Sequence, residues 1–148
     1  MVAEPPVTAD AFDSAHSVLR VCIDRPWRRL CSAVRKTDAT SPEQMWHRVR
    51  IRAKQARYAA EAVAPILGPD YTRLARQLAK ATDTLGVRQD AAVSAQWLSE
   101  LADSAPPSVA FSLGIMAAGC GEEGLDFQRD FTRRWPSVRA RAHALGLE

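Results

Sequence analysis

His47, Arg50, Lys54 and Arg57 recur at steps of three, four and three within a stretch, HRVRIRAKQARY (His47–Tyr58), that contains no acid. At ~100° per residue this spacing places all four on one face of a helix, as a cationic row ~15 Å long. Arginine offers a planar fork that matches phosphate oxygens, lysine a mobile point charge, and histidine one or two hydrogen bonds depending on pH. Left bare, the four repel one another at a cost of a few tenths of a kcal/mol per pair. A bound anion reverses that sign, so the chemistry this pattern can do is to hold a linear polyanion. Spacing alone leaves three readings open: a solvated basic face, a nucleic-acid site, and a site for another phosphate-rich ligand.

The element that must present this row reads as a helix from SPEQ (Ser41–Gln44) to Leu67, where Gly68 and Pro69 stop it. Ser41 suits the cap, Pro42 the first helical position, and Gln44 completes a capping-box pattern. Met45, Val49, Ala53, Ala56, Ala60, Val63 and Leu67 form one narrow apolar seam, and its small residues let a neighbouring helix approach closely. The cationic row lies roughly 120° round from that seam. Glu61 extends the row four residues beyond Arg57, while Arg48 and Arg52 fall on the opposite flank. Arg73, Arg76 and Lys80 are spaced to form a second row that would make a groove with the first. Arg28, Arg29 and the run RRWPSVRAR (Arg133–Arg141) are further basic candidates.

Around this helix the chain reads as all-α. The 148 residues fit one domain with a core of its own, and 47% hydrophobic with 25% charged residues exclude global disorder. Residues 1–8 read as a loose tail and 9–148 as the helical bundle. An apolar series from Phe12 to Val34 is helical but contains Pro26, which predicts a kink or restart near Asp24. A third helix carries Leu74, Leu78, Ala81 and Leu85. Patterning resumes after Gly86, which costs roughly 1 kcal/mol in a helix interior and so marks a bend or a close contact. DSAPPS is a break. VAFSLGIMAAG reads as a short buried helix, and EEGLDFQRDFTRRWPSVRARAHAL as a last one, disturbed at Pro136. The expectation is a bundle of about four main helices with kinks, and no strands.

Net charge is only +3, but Arg20–Arg57 holds eleven basic and three acidic residues, a local +8, against −5 for the rest. Such segregation favours a polyanionic partner. No apolar run approaches the ~20 residues of a membrane span, and the N-terminus lacks a signal-peptide pattern, so a cytoplasmic protein without membrane contact is expected. Cys22, Cys31 and Cys120 have no metal-type spacing and read as buried reduced thiols. For catalysis there is neither a nucleophile with its base nor a GxxxxGK[ST], HExxH or GxSxG motif. Glu122, Glu123, Asp126 and Asp130 read as the acidic start of the last helix, not as a metal site. The residues call for no catalytic group, metal or cofactor.

MWHRVRIRAKQARYAAEAVAPILG resembles the signature helix of the CHAD family, the conserved histidine α-helical domains, with His47, Arg50, Lys54, Arg57, Tyr58 and Glu61 carrying the match. Leu78–Leu98, with Leu85, Gly86, Gln89 and Asp90, resembles that family's next element, in the right order and distance. The resemblance implies an all-helical, non-catalytic domain that binds inorganic polyphosphate through His47, Arg50, Lys54 and Arg57. Arg28, Arg29, Arg76 and Lys80 are expected as secondary contacts, and Glu61 and Asp90 as residues that orient the basic side chains. It also implies association with a triphosphate-tunnel domain or polyphosphate metabolism. The family domain usually joins two related bundles around the polyanion, each with its own histidine helix. This chain has one such helix and resembles the second half, so a second CHAD-like half is expected, from a homodimer or a missing upstream repeat. A nucleic-acid-binding bundle and a structural half-domain that completes a groove with a partner remain as alternatives.

Overall fold

A computed structural model describes residues 13–148; the tail expected at 1–8, and Phe12, lie outside the described residues. Four helices follow one another: α1 (Ala15–Arg35), α2 (Glu43–Leu67), α3 (Pro69–Asp103) and α4 (Pro107–Ala144). The described residues contain no strand. Each helix packs on the next in the chain. The ring closes where α4 returns to α1: Trp27 stacks on Trp135 at 5.6 Å, and Arg20 donates to the Leu145 carbonyl at 3.2 Å. The result is an antiparallel up-and-down bundle.

The α2 seam follows its predicted spacing from Val49 to Val63, while Met45 and Leu67 are only half-buried and Trp46 is buried in place of Met45. Val49, Ala53, Ala56, Ala60 and Val63 are all at most 1% exposed, and their small side chains allow close packing with Leu74, Leu78 and Leu85 of α3, which are also buried. Burying each such leucine stabilises by about 1.5–3 kcal/mol. An aromatic chain crosses the core. Trp46 of α2 meets Phe131 edge-on at 5.9 Å, and Phe131 stacks on Trp135 at 5.9 Å. The reversal between α2 and α3 is a single residue, Gly68 at φ 108°, which a side chain would strain; Pro69 then fits the first turn of α3.

Several local expectations are corrected. Ser41 does not cap α2. Its hydroxyl bonds Asp38 instead, and the helix opens at Glu43 with no side-chain cap. Bonds from the Thr40 hydroxyl and amide, with help from Ser41, hold the Asp38 carboxyl below its usual range. α1 runs unbroken through Pro26. The carbonyl that loses its donor belongs to Cys22, an exposed residue, on the solvent side of the helix. The two segments after the DSAPPS break are one continuous helix, α4, and its first half is exposed, not buried. The acids Glu122 to Asp130 therefore lie mid-helix, far from its N-terminal dipole, and Asp126 and Asp130 pair with Arg129, Arg133 and Arg134. The cysteines are free, but Cys22 is exposed and the other two are half-buried. Burial raises the Cys31 thiol pKa.

Candidate polyanion-binding site

The α2 row lies along the edge where α2 meets α3, and the two helices interlock there residue by residue. His47 Nδ1 is 2.8 Å from the Gln89 carboxamide oxygen. With that oxygen as acceptor the ring donates from Nδ1, and Nε2 is left for solvent or a ligand. Three residues on, the Arg50 guanidinium lies over Gly86, whose missing side chain makes the room: a Cβ built there would sit 3.6 Å from Nη2 and 3.7 Å from Nε. Gly86 thus marks a close contact, and α3 stays continuous through it. Because those distances are ordinary contacts, Gly86→Ala is expected to fit. It should stabilise by up to ~1 kcal/mol through helix propensity, a rise of roughly 2–4 °C in a thermal melt. A fall in melting temperature would show that Arg50 needs the whole space.

The row is not uniform in how its charges are spent. Arg57 donates from Nε to Glu61 at 2.8 Å. That bond, reinforced by the Glu61, Tyr58 and Asp83 charges, raises the Arg57 pKa. Arg50 and Lys54, both half-buried, make no ion pair or side-chain hydrogen bond among the described residues, and the buried Arg50 Nε has no acceptor. On the α3 side Arg76 shares an open cavity of about 510 Å³ with Arg57 and Glu61, floored by Ala75 and Ala79. Lys80 follows one turn later, exposed. Asp83, close enough to act on Arg57, puts an acid into the same groove. Asp90 is exposed and enters no hydrogen bond or ion pair among the described residues.

The structure places Arg28 and Arg29 elsewhere. Arg28 pairs with Asp24 on its own helix and borders an open cavity of about 840 Å³ between α1 and α4. Trp27, Arg35, Trp135, Arg139 and His143 also line it. Arg29 is exposed on α1. This second basic cavity gathers part of the RRWPSVRAR run, whereas Arg133 and Arg134 of that run are committed to Asp130.

One residue beside the row escaped the sequence reading. Arg88 is 8% exposed. It pairs with Glu43 at 2.5 Å, lies 5.0 Å over the Trp46 ring, and donates to Gln128 at 3.4 Å. Gln128 in turn donates to the Ala39 carbonyl at 3.3 Å. This connection ties the α1–α2 loop, the start of α2, α3 and α4 together next to the His47–Gln89 pair. Its bonded members are 40 to 89 residues apart in the chain, so no local spacing announces it.

The sequence model of the CHAD domain matches residues 1–99, two thirds of the chain. The chain belongs to the CHAD domain family. The match ends within α3, so it covers the histidine helix and both sides of the groove, while all of α4 lies beyond it. No curated protein and no solved structure matches the chain. The CHAD domain is associated with polyphosphate binding and is generally non-catalytic. Among the described residues, no helix is long and apolar enough to cross a membrane.

Proposed function

We propose that this CHAD domain binds inorganic polyphosphate along the α2–α3 groove, without catalysis, as a cytoplasmic protein. The observation that carries the reading is Arg50: a half-buried guanidinium seated on Gly86 that pairs with no carboxylate among the described residues. Lys54 on α2 and Arg76 and Lys80 on α3 supply further charge from the two sides of the groove, and His47 Nε2 and Arg57 bracket the α2 side. Linear polyphosphate has the charge density and repeat for such a row, and phosphate oxygens accept the charge-assisted bonds that Arg50 lacks. Glu61 holds Arg57 in place. Asp90 lies near enough in sequence to Gln89 to steer the His47 end through solvent. The groove has one histidine helix, so a second CHAD-like half, or a triphosphate-tunnel partner, would close it from the open side.

Nucleic acid is the competing ligand. The exposed aromatic nearest the row is Tyr58, at 54%, and one ring is no platform for successive bases. Calorimetric titration with long-chain polyphosphate, in competition with a single-stranded oligonucleotide of equal charge, separates the two. Polyphosphate is expected to bind more tightly, with an affinity that falls steeply with salt as counterions are released. Equal or tighter oligonucleotide binding would overturn the assignment.

A further inference from the structure

α3 and α4 are much longer than the helices they pack against. α3 continues fifteen residues past Arg88 to Asp103, about 22 Å beyond the start of α2. α4 returns along it, and Gly124 meets Ala91 where the bundle proper begins. This two-helix arm buries little: Ala91 and Leu98 are its only hydrophobic residues under a tenth exposed. Yet between Ala91 and Gly121 only Glu100 and Asp103 are charged, in a protein that is 25% charged overall. Trp97 is 61% exposed, Leu101 43%, Val109 48% and Met116 57%. On helical wheels of ~100° per residue, Trp97 and Leu101 of α3 and Val109 and Met116 of α4 flank the α3–α4 seam on the same side. With Ser94 and Ser112 among them, they form one uncharged, largely apolar face. Phe111 and Ile115, 72% and 59% exposed, extend it round the outside of α4. Gly114, Gly119 and Gly121 stand in open space, and each costs ~1 kcal/mol of helix stability, so the arm is weak as an isolated pair.

We infer that this arm is a homodimerisation surface, on which the arm of a second copy packs face to face to complete a four-helix bundle. The chemistry of the face selects that occupant. It has no cation to attract an anionic membrane or a polyanion, and its two acids lie near the tip, outside the apolar face. A second copy brings an identical uncharged face, which is self-complementary about a two-fold axis and suffers no like-charge repulsion. Fully covered in both copies, Trp97, Leu101, Val109 and Met116 bury on the order of 800 Å², so the dimer is a weak, concentration-dependent one. Two hairpins also supply the four helices that an up-and-down bundle needs.

Sedimentation equilibrium on the full chain without polyphosphate tests this independently of ligand binding. The expected species is a dimer, twice the 16.3 kDa of one chain, at about 100 μM, with dissociation on dilution. Trp97→Asp combined with Met116→Asp should raise the dissociation constant at least ~100-fold while circular dichroism stays helical. Ile66→Asp, at an exposed site (53%) on the opposite end of the bundle, should leave it unchanged. A chain that is monomeric throughout, including one that instead floats with phospholipid vesicles, overturns the inference. So does a dimer indifferent to the Trp97 and Met116 substitutions.

Discussion

Replacing Arg50 and Lys54 together by alanine is expected to weaken polyphosphate binding by about 100-fold or more at low salt, with helix content unchanged. Each charge-assisted hydrogen bond contributes ~1.5–3 kcal/mol, and solvent screening trims that to roughly one decade per residue. Neither cation pairs with a carboxylate among the described residues, so their removal strands no buried partner there. The matched control is Arg48→Ala with Arg52→Ala. It deletes the same charge from the same helix, but Arg48 lies off the groove and Arg52 is engaged with Gln55 at 2.8 Å. That pair should cost less than about threefold, the effect of a general field. Equal losses in the two double variants, measured by calorimetry in one buffer, would mean that net charge and not the row binds the ligand.

The largest stability effect should come from Arg88. Its replacement by methionine keeps the volume but leaves Glu43 beside the core without its cation. Losing one partner of a fully buried pair costs ~3–5 kcal/mol. Because the Glu43 side chain remains 32% exposed, it rehydrates in part, and the expected cost is about 2 kcal/mol. For a chain of this size that is a fall of roughly 4–8 °C in melting temperature. Adding Glu43→Gln to Arg88→Met should restore much of the loss, because the stranded charge is then gone. The Arg88→Met variant should also disturb the His47–Gln89 contact, since Gln89 follows Arg88 in the same turn of α3. Chemical denaturation of the two variants beside the unaltered chain checks this; a change below about 0.5 kcal/mol in Arg88→Met would show that the pair is only a surface contact.

What was legible in the sequence was local and periodic. The steps of three and four along α2 gave both its buried seam and its cationic row, because one helix period governs both. Gly68 and Pro69 announced the tight reversal. The spans that were misread depend on neighbours. Glycines and Pro136 within residues 107–144 look like breaks, yet α4 continues through them, its middle and C-terminal half packed against α3 and the aromatic chain. Pro26 is tolerated because the carbonyl it leaves unpaired belongs to Cys22, an exposed residue. Ser41 Oγ accepts from the Asp38 amide and donates to its carboxylate, and so does not accept from the first amides of the helix it precedes. In the groove, the pairing of His47 with Gln89 and of Arg50 with Gly86 needs the α2–α3 register, which no single segment contains. Arg28 is spaced well enough for a basic cluster, but α1 turns it toward α4 and away from α2.

The account rests on polyphosphate lying in the α2–α3 groove, and backbone amide chemical-shift mapping with added polyphosphate reads that directly. The largest shifts are predicted at His47–Arg57 and across the groove at Arg76–Gln89, with little change at Arg28, Arg35, Arg139 or His143. Shifts centred on that second basic cavity between α1 and α4, or no localised shifts at saturating ligand, would contradict it.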